Sequence, residues 1–137
     1  MINVSIAVNT AVNEGTPDAE NISVSSSGKY IYSESEARIA YDEAADGTVT
    51  HCRVTVKDSA AEIVRRGAVS CQMTVLPNKN VPFIYNTPYG AIHMVCRGRS
   101  ITCSLEKDGG EIELNYDIRS DGQCVSRNRV TIKIKKI

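Results

Sequence analysis

At 137 residues, of which 42% are hydrophobic and 23% charged, the chain has the length and composition of one ordinary globular domain, which excludes a disordered or low-complexity protein. Trp is absent and Phe83 is the one phenylalanine, so the core must be aliphatic, completed by cysteines, methionines and some of the six tyrosines. The formal net charge is zero, yet residues 1–46 carry eight acids against two bases and residues 97–137 carry nine bases against six acids. If the first and last segments lie side by side, this asymmetry is charge complementarity rather than a basic surface for a polyanion.

From the N-terminus, "MINVSIAVNTAVNEG" shows no basic leader and no apolar run of signal length, and no stretch approaches the roughly 18 apolar residues of a membrane-spanning helix. No membrane association and a cytoplasmic location are the expectation. "NVSIAV" alternates as a strand does, and "TPDAEN" at residues 16–21 reads as a turn. "SESEARIAYDEAA" can be read in two ways. Ser33 and Glu36 have capping-box spacing, with Ala37, Ala40, Tyr41 and Ala44 at helical intervals, but Ala37, Ile39 and Tyr41 also alternate. After the alternating "TVTHCRVTVK", the segment "SAAEIVRRG" poses the same choice. Ser59, Glu62 and Gly67 could cap a helix, whereas Ile63, Arg65, Gly67, Val69, Cys71, Met73 and Val75 continue a period of two.

The second half is clearer. In "YNTPYG", residues 85–90, Pro88 pushes Thr87 toward an extended conformation, and Asn86 or Thr87 can bond back to the local backbone. The result is a rigid corner, or a site rim on which Tyr85 and Tyr89 offer rings and hydroxyls. "RGR" between "AIHMVC" and "SITCSL" predicts a tight hairpin near Gly98 and Arg99, which sets Cys96 opposite Ile101 and Met94 opposite Cys103. Its dry face comprises Ile92, Met94, Cys96, Ile101, Cys103 and Leu105. "EIELNYDI" alternates Ile112, Leu114, Tyr116 and Ile118 against polar residues, and "VTIKIKKI" does the same with Val130, Ile132 and Ile134. Asp-Gly turns in "KDGGE" and "SDGQ" join these strands into a meander.

Chemical signals are sparse. Cys52, Cys71, Cys96, Cys103 and Cys124 cannot all pair within one chain and show no framework spacing, so they read as free thiols in a reducing compartment. Neither His51 nor His93 belongs to a CxxC or HxxxH pair, so no metal and no cofactor is expected. The hairpin register would set His93 opposite Ser104, with Glu113 beyond, but a flat sheet face offers such a row neither an oxyanion hole nor exclusion of water. Arg97, Arg99, Arg127, Arg129, Lys133, Lys135 and Lys136 could form a basic stripe without interleaved aromatics, which reads as a solvated face and not as a nucleic-acid surface.

The segments "GKYIY", "RIAYDE", "VRRGAVSCQM", "YNTPYGAIHM", "GGEIELNYDI" and "VSRNRVTIKI" together resemble the YwiB-like family of bacterial domains of unknown function, which are calycin-like β-barrels. The resemblance implies that both ambiguous segments are strands. It also implies that residues 1–137 form a single all-β domain, a closed antiparallel up-and-down β-barrel, calycin- or lipocalin-like, of about eight to ten strands. It brings no assigned activity.

In strand phase Arg65 points to the apolar side, where an unpaired guanidinium would cost several kcal/mol. It therefore needs a partner, either a structural one such as Glu43 or a tyrosine, or a bound carboxylate or phosphate, unless a register slip makes Arg66 the inward residue. The expected function is non-enzymatic binding of a small amphipathic or anionic ligand in the barrel. Arg65, Tyr41, Tyr85, Tyr89 and Tyr116 would contact it, with Asn86 and Thr87 at the rim. The alternatives are an interaction module with a lumen filled by Met73, Met94, Ile112 and Leu114 and, third, a weak hydrolase. A small-molecule ligand is the expected partner, and a homo-oligomer is compatible with the sequence.

Overall fold

The computed structural model describes residues 1–45 and 47–137, and in it ten antiparallel strands follow one another along the chain. They are β1 Ile2–Val12, β2 Glu20–Tyr32, β3 Glu36–Ala45, β4 Thr48–Lys57, β5 Ala60–Arg66, β6 Cys71–Val75, β7 Asn80–Thr87, β8 Gly90–Glu106, β9 Gly109–Ser120 and β10 Gln123–Lys136. Their spatial order is β6-β5-β4-β3-β2-β1-β10-β9-β8-β7, so sequence neighbours pair throughout except between β6 and β7. The two ends of the chain meet where β1 lies against β10, with Ile6 opposite Ile134 and Val8 opposite Ile132. This is an up-and-down β-barrel, nearly closed, in which almost every strand edge is paired. Among the described residues no helix is long and apolar enough to cross a membrane.

Both ambiguous segments are strands. The Ser33 hydroxyl, which would have capped a helix, instead donates to the Glu36 carbonyl at 3.1 Å and accepts from the Glu36 N–H at 3.2 Å, tightening the β2–β3 turn. Asp58 and Ser59 both have positive φ, 51° and 61°, a mirror-image turn that matches the twist of the flanking strands and is incompatible with a helix start at Ser59. The period-2 run from Ile63 to Val75 does not form one long strand. It folds back between residues 67 and 70, leaving Arg65 opposite Cys71 and Ile63 opposite Met73.

The hairpin expected at "RGR" is not formed. Gly90–Glu106 is one continuous strand, so Cys96 lies opposite Val81 and Ile118, and Cys103 lies opposite Ile112. A bulge between Gly98 and Ser100 accounts for the error. One extra residue shifts the alternation by one position, so Cys96 before it and Ile101 after it face the same way without any reversal of the chain. Of the expected dry face, Cys96 is buried and Met94, Ile101 and Leu105 pack against the core, while Ile92 and Cys103 are exposed. Gly98 is required there, because an added Cβ would collide with the backbone of Leu76.

That approach of Leu76 helps to close the barrel. The loop after β6 is tied to β8 by hydrogen bonds from the Asn78 N–H to the Gly98 carbonyl, 2.9 Å, and from the Gly98 N–H to the Lys79 carbonyl, 3.2 Å. At the other end of the seam Ser70 and Asn86 exchange two backbone hydrogen bonds of 2.9 and 2.8 Å. Backbone groups two residues apart face the same way along a strand, so the nitrogen of Pro82 also faces β6. It has no hydrogen to donate, and a proline is tolerated on an edge such as this.

Inward-facing residues divide the lumen into two halves. Val4, Ile6, Tyr30, Ile39, Val75, Cys96, Ile112 and Leu114 are buried and fill one half, with Ile132 at the boundary. Tyr30 closes that end, its hydroxyl donating to the Glu106 carbonyl at 2.7 Å. The β1–β10 pairing brings the acidic and basic ends of the chain together, but among the described residues only Glu14 reaches across, to Arg129 at 2.8 Å.

Candidate functional site

The other half of the lumen is open, a cavity of about 500 Å³. Its wall is largely aliphatic, with Val8 from β1, Val24 from β2, Val54 from β4, Ile63 from β5 and Val130 from β10, joined by Met73, Phe83 and Met94. These residues alternate with outward-facing ones and therefore present a continuous apolar lining. Met73 and Met94 thus line the open half, while Ile112 and Leu114 fill the closed half, so the lumen is neither wholly filled nor wholly open.

One sector of the wall is polar. The ladders place Tyr41, Cys52, Arg65 and Cys71 opposite one another in a single row across β3, β4, β5 and β6. Glu43, two residues beyond Tyr41 on the same face, receives a hydrogen bond from Arg65 Nη2 to its Oε2 at 2.7 Å. The requirement that an inward arginine have a partner is therefore met within the chain, by Glu43. Burial works against the Arg65 charge, while the Glu43 carboxylate and its hydrogen bond favour it, and the balance holds the guanidinium protonated. Burial likewise pushes the Tyr41 and Tyr116 hydroxyls above their ordinary range, so both stay neutral and can donate or accept. The Cys52 thiol is pushed up to about 11, chiefly by burial, with Arg65 opposing, so it stays protonated near neutral pH.

Of the residues singled out from the sequence, Arg65, Tyr41, Tyr85 and Tyr116 all line this cavity. Asn86, Thr87 and Tyr89 are not among its lining residues. Asn86 closes the β6–β7 seam, and Thr87 is occupied with the corner, its hydroxyl donating to the Gly90 carbonyl at 2.9 Å and accepting from the Tyr89 N–H at 3.1 Å. Tyr89 is 99% exposed at the tip. The row of His93, Ser104 and Glu113 does not exist. Since β8 does not turn back, His93 lies opposite Ile84 and Ser104 lies opposite Glu111.

Sequence reasoning missed Asn128, which is buried and lines the cavity with its Nδ2 donating to Ser126 Oγ at 3.0 Å. A signal was present, because Asn128 extends the alternation of Val130, Ile132 and Ile134 by one step. Glu43 was recognised only as a partner for Arg65. A side chain two positions along the strand from Tyr41 shares its face, so Glu43 belongs to the wall itself.

Comparison with known proteins bears on the barrel and not on the cavity. The profile of a family described as "Domain of unknown function (DUF1934)" matches residues 6–132. The crystal structure of ywiB protein from Bacillus subtilis superposes with a TM-score of 0.87 over 99% of this chain and 92% of that one, at 18% sequence identity. At that identity the likeness establishes the fold alone. No curated protein matches the sequence.

Proposed function

Since the chain belongs to the DUF1934 family, a domain of unknown function, we propose its role from the cavity itself, as a non-enzymatic protein that holds a small amphipathic molecule in the open half of the barrel. The observation that carries this reading is a cavity of about 500 Å³, aliphatic on most of its wall and polar where Glu43, Arg65, Tyr41 and Tyr116 lie and again at Asn128 and Ser126. That size and that mixture suit a single small ligand. Packing the volume with side chains, as the other half is packed, would contribute on the order of several kcal/mol. Leaving it open therefore costs an appreciable part of a domain's stability, the trade a binding site makes.

The head group follows from the ion pair. Glu43 already neutralises Arg65, so an anion would have to displace a carboxylate, whereas an uncharged polar head can accept from Arg65 and the tyrosines and donate to Glu43. An uncharged amphiphile is favoured over an anionic one. Five free cysteines, two of them buried, fit a cytoplasmic location.

Titration with the uncharged fluorescent amphiphile 1-aminoanthracene tests the reading. Saturable one-to-one binding to the wild type is expected, with loss of binding in Ile63→Phe and Val24→Phe, which push rings into the cavity. No saturable binding, or equal binding by the filled variants, would overturn it. A second reading, an interaction module, draws on a groove of about 650 Å³ on the outer wall beside Pro82, Ile84, Val95 and Arg119. Under that reading Ile84→Lys abolishes the function and the filled variants leave it intact.

A further inference from the structure

The outer wall holds a charged arrangement that the cavity does not use. Asp117 of β9 faces outward and yet is only 5% exposed, because arginines from the strands on either side cover it. The ladders set Arg97 of β8 and Arg127 of β10 directly opposite it. Arg99 Nε lies 3.3 Å, and Arg127 Nε 3.6 Å, from the same carboxylate oxygen, Asp117 Oδ1. Neither contact has hydrogen-bond geometry, so this buried oxygen accepts no hydrogen bond among the described residues.

Backbone irregularities on both flanking strands produce the convergence. The bulge between Gly98 and Ser100 makes Arg99 the extra residue of β8, and a second bulge between Cys124 and Ser126 lies just ahead of Arg127 on β10. Their partners on β9 are Tyr116 and Ile118, the two residues that flank Asp117. Bulges re-aim side chains and are concentrated next to functional sites; here two of them flank one carboxylate.

The charges do not balance. Arg99 and Arg127 contact the Asp117 carboxylate and Arg97 lies opposite it in the ladder, so three guanidiniums accompany one carboxylate, a surplus of two positive charges. Arg97 donates to the Asn78 carbonyl at 3.2 Å. Arg99 and Arg127 approach Asp117 through Nε, and their terminal amino groups make no hydrogen bond among the described residues. On one side Arg119, two residues along β9 from Asp117, adds a fourth guanidinium, its Nη2 donating to the Gly122 carbonyl at 3.3 Å, and on the other side the surplus is bounded. Further along the same wall Arg129 is held by Glu14 at 2.8 Å and by Glu113 at 3.9 Å, and Lys133 lies opposite Glu111. A compact anion fits such a patch, and an extended polyanion does not.

We propose that Arg99 and Arg127, gathered on Asp117, together with their neighbour Arg97, bind the phosphate group of a small phosphorylated molecule on the outer wall of the barrel. Planar guanidiniums present paired N–H donors that match phosphate oxygens, and a phosphomonoester carries close to the two negative charges that the patch lacks. Asp117 holds Arg99 and Arg127 together, and the Asn78 carbonyl fixes Arg97 beside them, which preorganises the three for the ligand. The site is separate from the lumen and does not depend on the proposed cavity ligand.

The test follows the arginine Nε–Hε resonances of the protein by NMR during titration with inorganic phosphate at constant ionic strength. Saturable shifts of the Arg99 and Arg127 signals are expected. Arg99→Gln and Arg127→Gln should each weaken binding by about tenfold, the loss of one charge-assisted hydrogen bond. Arg129→Gln removes the same charge from the same wall outside the site and should leave the affinity unchanged, with circular dichroism confirming that each variant folds. No saturable shift in the wild type would overturn the proposal, and so would an equal loss in Arg129→Gln, which would mark a diffuse field. Binding to a single-stranded oligonucleotide that tightens with its length while inorganic phosphate fails to bind would replace it with a nucleic-acid surface.

Discussion

Arg65 donates from Nη2 to Oε2 of Glu43 at 2.7 Å, across a polar sector of a largely aliphatic cavity wall. The Glu43 side chain is 18% exposed and that of Arg65 37%. Removing the arginine leaves a mostly buried carboxylate without its counter-ion. Arg65→Ala should therefore destabilise the barrel by about 1–3 kcal/mol, below the range of a fully buried pair because Arg65 is partly solvated. Arg65→Met combined with Glu43→Leu should recover most of that loss. Urea unfolding of the single and double variants measures both.

The same pair governs selectivity in the proposed cavity. Glu43→Gln frees the Arg65 charge while keeping the shape of the wall. Affinity for a medium-chain fatty acid should then rise by about tenfold relative to that for the corresponding alcohol, the worth of one unmasked charge-assisted contact. Paired calorimetric titrations of the two ligands give the ratio; an unchanged ratio would show that Glu43 does not mask the arginine.

Gly98 is the point where the β6–β7 loop meets β8. Its Cα hydrogen faces the backbone of Leu76, which cannot yield as a flexible side chain would. Gly98→Ala should destabilise the protein by about 1–3 kcal/mol through overpacking. Amide exchange should be accelerated most at Asn78 and Gly98, whose N–H groups close this end of the seam. Uniform acceleration across the sheet would contradict the local account.

The buried acids predict a one-sided pH dependence. Burial pushes Cys52 up from 9.0 to about 11 and Cys96 up to about 12, in the latter with help from the Asp117 charge, and burial also raises Tyr30 from 10.0 to about 12. A group whose pKa is higher in the folded state stabilises that state below its unfolded value and ceases to do so as pH rises through the folded one. The melting temperature should accordingly hold near neutrality, begin to fall near pH 9 and go on falling to about pH 12. At pH 8 a thiol reagent should modify exposed Cys103 and Cys124 more than tenfold faster than buried Cys52 and Cys96. Similar rates for all four would refute the assignment.

The strand pattern was legible wherever alternation was strict. "EIELNYDI" and "VTIKIKKI" define β9 and the end of β10, with the inward faces they show in the barrel, because a period of two has only one way to bury an apolar face. In strand phase the same logic turns Arg65 inward and calls for a partner, for which Glu43, a tyrosine or a bound anion are all open; the structure supplies Glu43. Local pattern could not decide between helix and strand at Ser33–Ala45 and Ser59–Gly67, where capping residues and alternation coexist. Pairing with β2, β4 and β6 decided it. Nor could it distinguish a hairpin at "RGR" from a bulge, since both shift the alternation by one step, and only the neighbours Val81 and Ile118 of Cys96 separate them. The division of the lumen into a filled and an open half, the seam at Pro82, and the convergence of Arg99 and Arg127 on Asp117 all depend on which strands become neighbours around the barrel. Order along the chain settles which face each side chain takes, and only closure of the sheet settles what it meets there.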